Sequence, residues 1–215
     1  MEWHDITDLP FAAALERHSG GLSPESAYDT VHFDRVTFAD ERAASSSFID
    51  CAFTGVTVQG GRLQRARFSD VFLRDVRLVG TSLAEASWVD VTATRSLAAG
   101  VEAFGAALRR VTFRGCKLDS VNLREALLSD VTFEDCELRD VDFGGATLTR
   151  TAFPGSRLAR TDFSRARLAG TDLRDAELGI IIGPDSLRGA IVSTGQLAFL
   201  APALAEALGI VVSDD

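Results

Sequence analysis

Residues 111–178 read VTFRG CKLDS VNLRE ALLSD VTFED CELRD VDFGG ATLTR TAFPG SRLAR TDFSR ARLAG TDLRD AEL, and broken into fives the stretch repeats itself. Each unit carries a small residue first and Leu or Phe third. The phase extends back to Phe33: of the 30 residues at every fifth position from Phe33 to Leu178, 24 are Leu or Phe. The other six are Ala43, Val58, Trp88, Ala93, Ala98 and Ala103. The residue two places earlier is Ala, Val, Ser, Thr, Cys or Gly in 29 of 30 units, Glu41 being the exception.

A period of five fits neither a helix at about 3.6 residues per turn nor a straight strand at about 2.0. It requires a corner. In an extended segment residues two apart share a face, so the small residue and the Leu or Phe both point inward. Two places beyond the large residue, 18 of 30 positions are Gly or Asp, residues that tolerate turn backbone.

Units of this form resemble the tandem A(D/N)LXX units of the pentapeptide-repeat proteins over roughly residues 31–180. The resemblance implies an all-β fold, a right-handed quadrilateral β-helix with four units per coil. Thirty units then give about 7.5 coils and a rod about 36 Å long. Members of the family that bind DNA gyrase or topoisomerase IV are quinolone-resistance and self-immunity factors, proposed to imitate duplex DNA. The resemblance therefore implies gyrase or topoisomerase IV as a partner and protection against topoisomerase poisons. Other members have no known role, and a rigid scaffold for an unrelated protein partner is the competing expectation.

With four units per coil, inward side chains stack in ladders such as Phe33, Phe53, Leu73, Ala93, Phe113, Phe133, Phe153 and Leu173. Ala93, Ala98 and Ala103 leave one coil underfilled on three sides. Either that coil stays regular and its neighbours fill the gap, or residues 94–107 bulge out as a loop or short helix. Ser96, Val101 and Ala106 keep the small-residue phase, which favours the regular coil.

The chain divides into an N-terminal cap (1–30), the repeat (31–180) and a C-terminal helical cap (181–215). Solenoid ends expose strand edges that invite polymerisation unless covered. Asp8 as N-cap, Pro10 in the first turn, and Gly20 and Gly21 as stop predict a short N-terminal α-helix. Ser193 with Gln196 forms a capping-box pattern that opens a second helix closed by Gly209, with Pro202 as a kink or break. Leu197, Leu200, Leu204 and Leu208 line one face of it. That stripe covers the last coil or, as the resemblance implies, also makes a two-fold homodimer.

No run reaches the roughly 18 apolar residues of a membrane span, and the first residues lack a signal-peptide pattern, so a soluble cytoplasmic protein without membrane attachment is expected. Cys51, Cys116 and Cys136 have neither disulfide nor zinc spacing. His4, His18 and His32 are the only histidines, and no catalytic or nucleotide-binding motif occurs, so no enzyme activity, cofactor or metal is expected. The net charge of −9 argues against direct nucleic-acid binding. It belongs mainly to the ends: residues 31–178 carry 21 acids and 20 bases. Within that stretch Asp50, Asp70 and Asp90 fall on one corner in successive coils, a carboxylate ladder at about 4.8 Å spacing. Arg110, Asp130, Arg150 and Gly170 continue the corner, so the acidic ladder is the candidate partner-binding feature but a short one.

Overall fold

A computed structural model describes residues 3–213. The chain winds into a parallel β-solenoid of about eight turns. Every strand pairing within the repeat joins residues one coil apart: Thr37–Ala39 lies beside Thr57–Gln59, then Arg77–Val79, and so on to Glu177–Leu178. A second face is held by single bridges in the same register, Arg42 to Arg62 and onward through Asn122, Asp142 and Asp162. The two remaining faces merge where strands Arg67–Arg74, Ser87–Thr94, Ala107–Arg114 and Leu127–Glu134 run through their shared corner.

The corners explain the period. Every fifth residue from Glu25 to Gly170 has a left-handed backbone, with φ from 48° to 70°. Glycine reaches that region without penalty, Asp with little, and Arg reluctantly. Seven of these corners are nevertheless Arg, among them Arg110, Arg150 and Arg160, so the backbone ladders on either side over-determine the turn.

Inside, the large phase is packed as expected. Tyr28, Phe48 and Phe68 stack with centroids 5.0 and 4.9 Å apart, Phe113, Phe133 and Phe153 at 4.9 and 5.0 Å, and Phe143 on Phe163 at 5.3 Å. Because Tyr28 belongs to the first of these stacks, the ladder begins one unit before Phe33. The small phase is closed off too. Cys51, Cys116 and Cys136 are free thiols buried in the wall, and burial pushes Cys51 up to about 11. Cys116 and Cys136 are neighbours one coil apart, the Cys116 amide lying 3.4 Å from the Cys136 sulfur. Buried thiols of this kind pack as small hydrophobes.

The underfilled coil is regular. Ala98 pairs with Leu78 on one side and Leu118 on the other, and Ala93 with Leu73 and Phe113, so residues 94–107 make no excursion.

The N-terminal cap differs from the sequence expectation. Instead of an α-helix there are two 3-10 turns, Ile6–Asp8 and Ala12–Ala14, and Asp5 rather than Asp8 is the N-cap. Asp8 closes the capping box by accepting from the Asp5 amide at 2.9 Å. These turns do not sit over the open end. They lie along the side of the rod, where Trp3 and Leu9 pack on Ala52 and Phe72, two outward-phase residues of successive coils that are fully buried as a result. Asp5 pairs with Arg74, and His4 Nδ1 lies 3.0 Å from Arg114. The end itself is covered by the next segment: Glu16–Arg17 adds a strand beside Val31 and His32, Leu22 enters the core, and the His18 ring packs on Tyr28 and Phe33.

At the other end helix α1, Thr194–Ala207, opens with the expected Ser193/Gln196 capping box and runs through Pro202 undivided. Gln196 Nε2 donates to the Ala176 carbonyl at 2.7 Å and to that of Leu173, satisfying acceptors of the last coil. No helix among the described residues is long and apolar enough to cross a membrane.

Candidate partner-binding edge

Asp50, Asp70 and Asp90 occupy consecutive left-handed positions of one corner, with φ of 52°, 55° and 55°. Asp70 and Asp90 lie inside eight-residue strands, so the corner is hydrogen-bonded through rather than hinged. The register follows directly: Phe68 and Ser69 pair with Trp88 and Val89, and Phe48 and Ile49 with Phe68 and Ser69. The three carboxylates are thereby held one rung apart, about 4.8 Å.

Their electrostatics divide them. Partial burial raises the pKa of Asp50, and the neighbouring Asp29 raises it further. Asp70 is also raised, by burial first and then by the charges of Asp90 and Asp50. Neither Asp50 nor Asp70 has an ion-pair partner among the described residues. Asp90 is the opposite case: Arg110 donates to both of its oxygens and holds its carboxyl below the usual range. The unpaired acidic edge is therefore Asp29, Asp50 and Asp70, with Asp90 neutralised at its end. Asp29 was not singled out by the sequence; its place directly before the corner residue Thr30, one coil from Asp50, is the signal that marks it.

The same rung-to-rung pairing recurs around the rod. Asp75 binds Arg95, Asp119 binds Arg139, Asp130 binds Arg150 and Asp140 binds Arg160, each pair spanning one coil. Glu134 pairs with Arg114 and Glu137 with Lys117 in the same way. These are charges at equivalent positions of adjacent coils, so each pair is neutral in itself and adds little net charge to the surface of the rod.

The leucine stripe on α1 also divides. Leu200 is buried and Leu204 packs against the core, so these two cover the last coil. Leu197 and Leu208 face solvent, at 51% and 70% exposure, beside exposed Phe199, Ile210, Val211 and Val212. Among the described residues no group of three or more His, Cys, Asp or Glu side chains is placed to hold a metal ion.

Comparison with known proteins turns on the repeat itself. The family described as "Pentapeptide repeats (8 copies)" matches residues 46–92, and that described as "Pentapeptide repeat region" matches residues 105–163. The chain belongs to the pentapeptide-repeat family. Among solved pentapeptide-repeat structures it is similar to full-length QnrB1, a plasmid-mediated fluoroquinolone resistance protein. That likeness has a TM-score of 0.60 at 16% identity, covering 88% of this chain and 99% of QnrB1. It is also similar to HetL, involved in heterocyst differentiation regulation in the cyanobacterium Nostoc, with TM-score 0.49 at 19% identity over 82% of this chain and 93% of HetL. A pentapeptide-repeat protein of the Arabidopsis thaliana thylakoid lumen matches at TM-score 0.38 and 14% identity, over 57% of this chain and 72% of that one. No curated protein matches the sequence. The family matches and the likeness to QnrB1 establish a pentapeptide-repeat scaffold and its fold.

Proposed function

We propose that this pentapeptide-repeat protein is a non-catalytic rod that binds a protein partner through the Asp29–Asp50–Asp70 edge, the partner being a basic, nucleic-acid-binding surface of the DNA gyrase or topoisomerase IV kind. The observation that carries the reading is the pair Asp50 and Asp70: adjacent carboxylates with no ion-pair partner among the described residues, on a corner fixed by strand hydrogen bonds. Holding like charges together costs free energy in the isolated rod, and a cationic partner relieves it. A rigid edge also enters a complex with little ordering entropy to lose. QnrB1, which shares the fold, is a fluoroquinolone resistance protein. Protection of a topoisomerase against such a drug is the corresponding activity for this chain.

Purified gyrase in a binding assay with a supercoiling readout tests the proposal. Micromolar binding that weakens as salt rises, and weakens further when Asp50 and Asp70 are changed together to Asn, supports it, since exposed charges are screened over about 10 Å at 0.1 M salt. Asn retains corner tolerance, so the variant keeps the rod. Unchanged binding by the double variant removes the edge from the mechanism. A second reading rests on the paired charges elsewhere: a rod whose surface is largely neutralised suits a scaffold for an unrelated partner, and absence of any gyrase interaction at micromolar protein selects that reading.

A further inference from the structure

In the coil Trp88, Ala93, Ala98 and Ala103, three of the four inward ladders carry a methyl group where their neighbours carry Leu or Phe. The backbone cannot close the gap. Residues 93 and 98 keep ladder partners in the coils on both sides, and the Ala103 amide donates to the Asn122 carbonyl of the next coil at 2.8 Å. Trp88 fills part of the space by leaning across to Phe113, a residue of the adjacent ladder, with centroids 6.2 Å apart and planes at 34°. What remains is a cavity of about 80 Å³ between Trp88, the three alanines, Phe113 and Leu118.

We propose that this cavity is a binding site for one small, uncharged, apolar molecule. Its wall is almost wholly carbon. The polar groups near it are already engaged: Ser96 Oγ donates to the Thr94 carbonyl at 2.9 Å and accepts from the Val76 amide at 3.0 Å, and Cys116 Sγ lies 3.4 Å from the Ala93 carbonyl. The Lys117 ammonium is directed to Glu137, 3.2 Å away on the outer surface. A buried water needs two to four free polar partners and finds none here, whereas an apolar cavity of about 150 Å³ stays dry and takes up benzene or xenon. The smaller volume restricts the guest to the size of xenon or a short hydrocarbon. Rigidity adds to the case, because a preformed void held open by backbone ladders needs no reorganisation to admit its guest. The inference is independent of the acidic edge, which lies on the outside of the rod.

Xenon is the probe. Diffraction from xenon-pressurised crystals of the full chain, paired with methyl NMR under xenon pressure in solution, reads occupancy directly. The expected result is a single xenon between Trp88 and Phe113, saturable shifts of the Leu73, Leu83 and Leu118 methyls, and loss of both in the filled variant Ala98→Leu. Ala103→Leu, filling from another side, gives the same loss and stands in if the first variant folds poorly. Absence of xenon from the wild-type cavity, ordered water within it, or shifts that persist in the filled variants would overturn the proposal.

Discussion

Arg150 grips Asp130 one coil below it, Nε to Oδ1 at 2.6 Å and Nη2 to Oδ2 at 2.8 Å, and both residues stand at left-handed corners of the same edge that carries Asp50 and Asp70. One edge of the rod is thus acidic at one end and internally neutralised at the other. The change occurs at Arg110, which takes Asp90 out of the acidic run.

Arg110→Gln should therefore lengthen the acidic edge by one carboxylate. Exposed ion pairs contribute little to stability, so the melting temperature should stay close to that of the parent. Affinity for a basic partner, and its dependence on salt, should both increase. A titration against gyrase at two ionic strengths checks this; an affinity unchanged at low salt would show that Asp90 lies outside the contact.

Acid should loosen the rod. Asp75, Asp90, Asp119, Asp130 and Asp140 have pKa values lowered from 3.8 by their arginine partners, Asp130 to about 2. Their folded-state values lie below the unfolded one, so the stability they supply is present above the unfolded value and is lost as pH falls towards the folded value. Asp50 and Asp70 act in the opposite sense: their raised values favour the folded state at low pH, and that contribution is lost as pH rises through them. The depressed set is larger, so urea midpoints should fall between about pH 4 and pH 2. Asp130→Asn should flatten that fall, and Asp70→Asn should raise the midpoint at neutral pH.

The void beside Trp88 has an energetic consequence of its own. At about 24 cal/mol per Å³, a cavity of 80 Å³ corresponds to roughly 2 kcal/mol of forgone packing. Ala98→Leu should recover part of it, seen as a higher urea midpoint with an unchanged slope. Leu118→Ala, which enlarges the same space, should cost about 2–5 kcal/mol. A filled variant less stable than the parent would mean that the coil is too narrow for the leucine.

Removing residues 1–15 should leave the coils wound but uncover Phe72 and Ala52. Circular dichroism should keep its β signature while a hydrophobic dye binds and the protein self-associates, and Phe72→Thr in the shortened chain should reverse both. Loss of the β signature would make this segment part of the folding unit rather than a covering of one side.

The exposed Leu197 and Phe199 on α1, its C-cap Leu208 and the apolar residues after it predict a homodimer. Light scattering at micromolar concentration should give twice 23.0 kDa, falling to the monomer mass for Leu197→Glu combined with Leu208→Glu. A monomer in the parent protein would leave α1 as a cap alone.

The period in Leu and Phe made a corner in every unit legible from the sequence, and the family resemblance implied four units per coil; with both, Phe143 over Phe163, and Asn122, Asp142 and Asp162 in one bridge ladder, follow from arithmetic on residue numbers. The capping box at Ser193 was equally readable, since its two hydrogen bonds are local. The N-terminal segment was not. Helix signals around Asp8 and Pro10 are local too, but the side of the rod wins, because Trp3 and Leu9 find an apolar surface there that only coil stacking creates. Phe72, apolar on an outward phase and one coil from Ala52, was its trace in the sequence. The acidic edge was legible in position but not in strength. Whether Asp90 is free depends on the reach of Arg110, and their one-coil separation shows adjacency without showing the side-chain geometry.

The corner every fifth residue makes the chain's length and its compass direction separable. Removing four consecutive units, for instance 131–150, would shorten the rod by one storey and leave each later side chain facing as before, with Gly170 now above Asp130. Removing a single unit would keep nearly the whole height but rotate everything beyond the cut by a quarter of the circumference. Arg150 would leave Asp130's edge, and the helix at the end would meet a partner from a different bearing. Insertions and deletions in such a chain are therefore turns of a dial, and which side of the molecule a distal feature presents is set by a count of units modulo four.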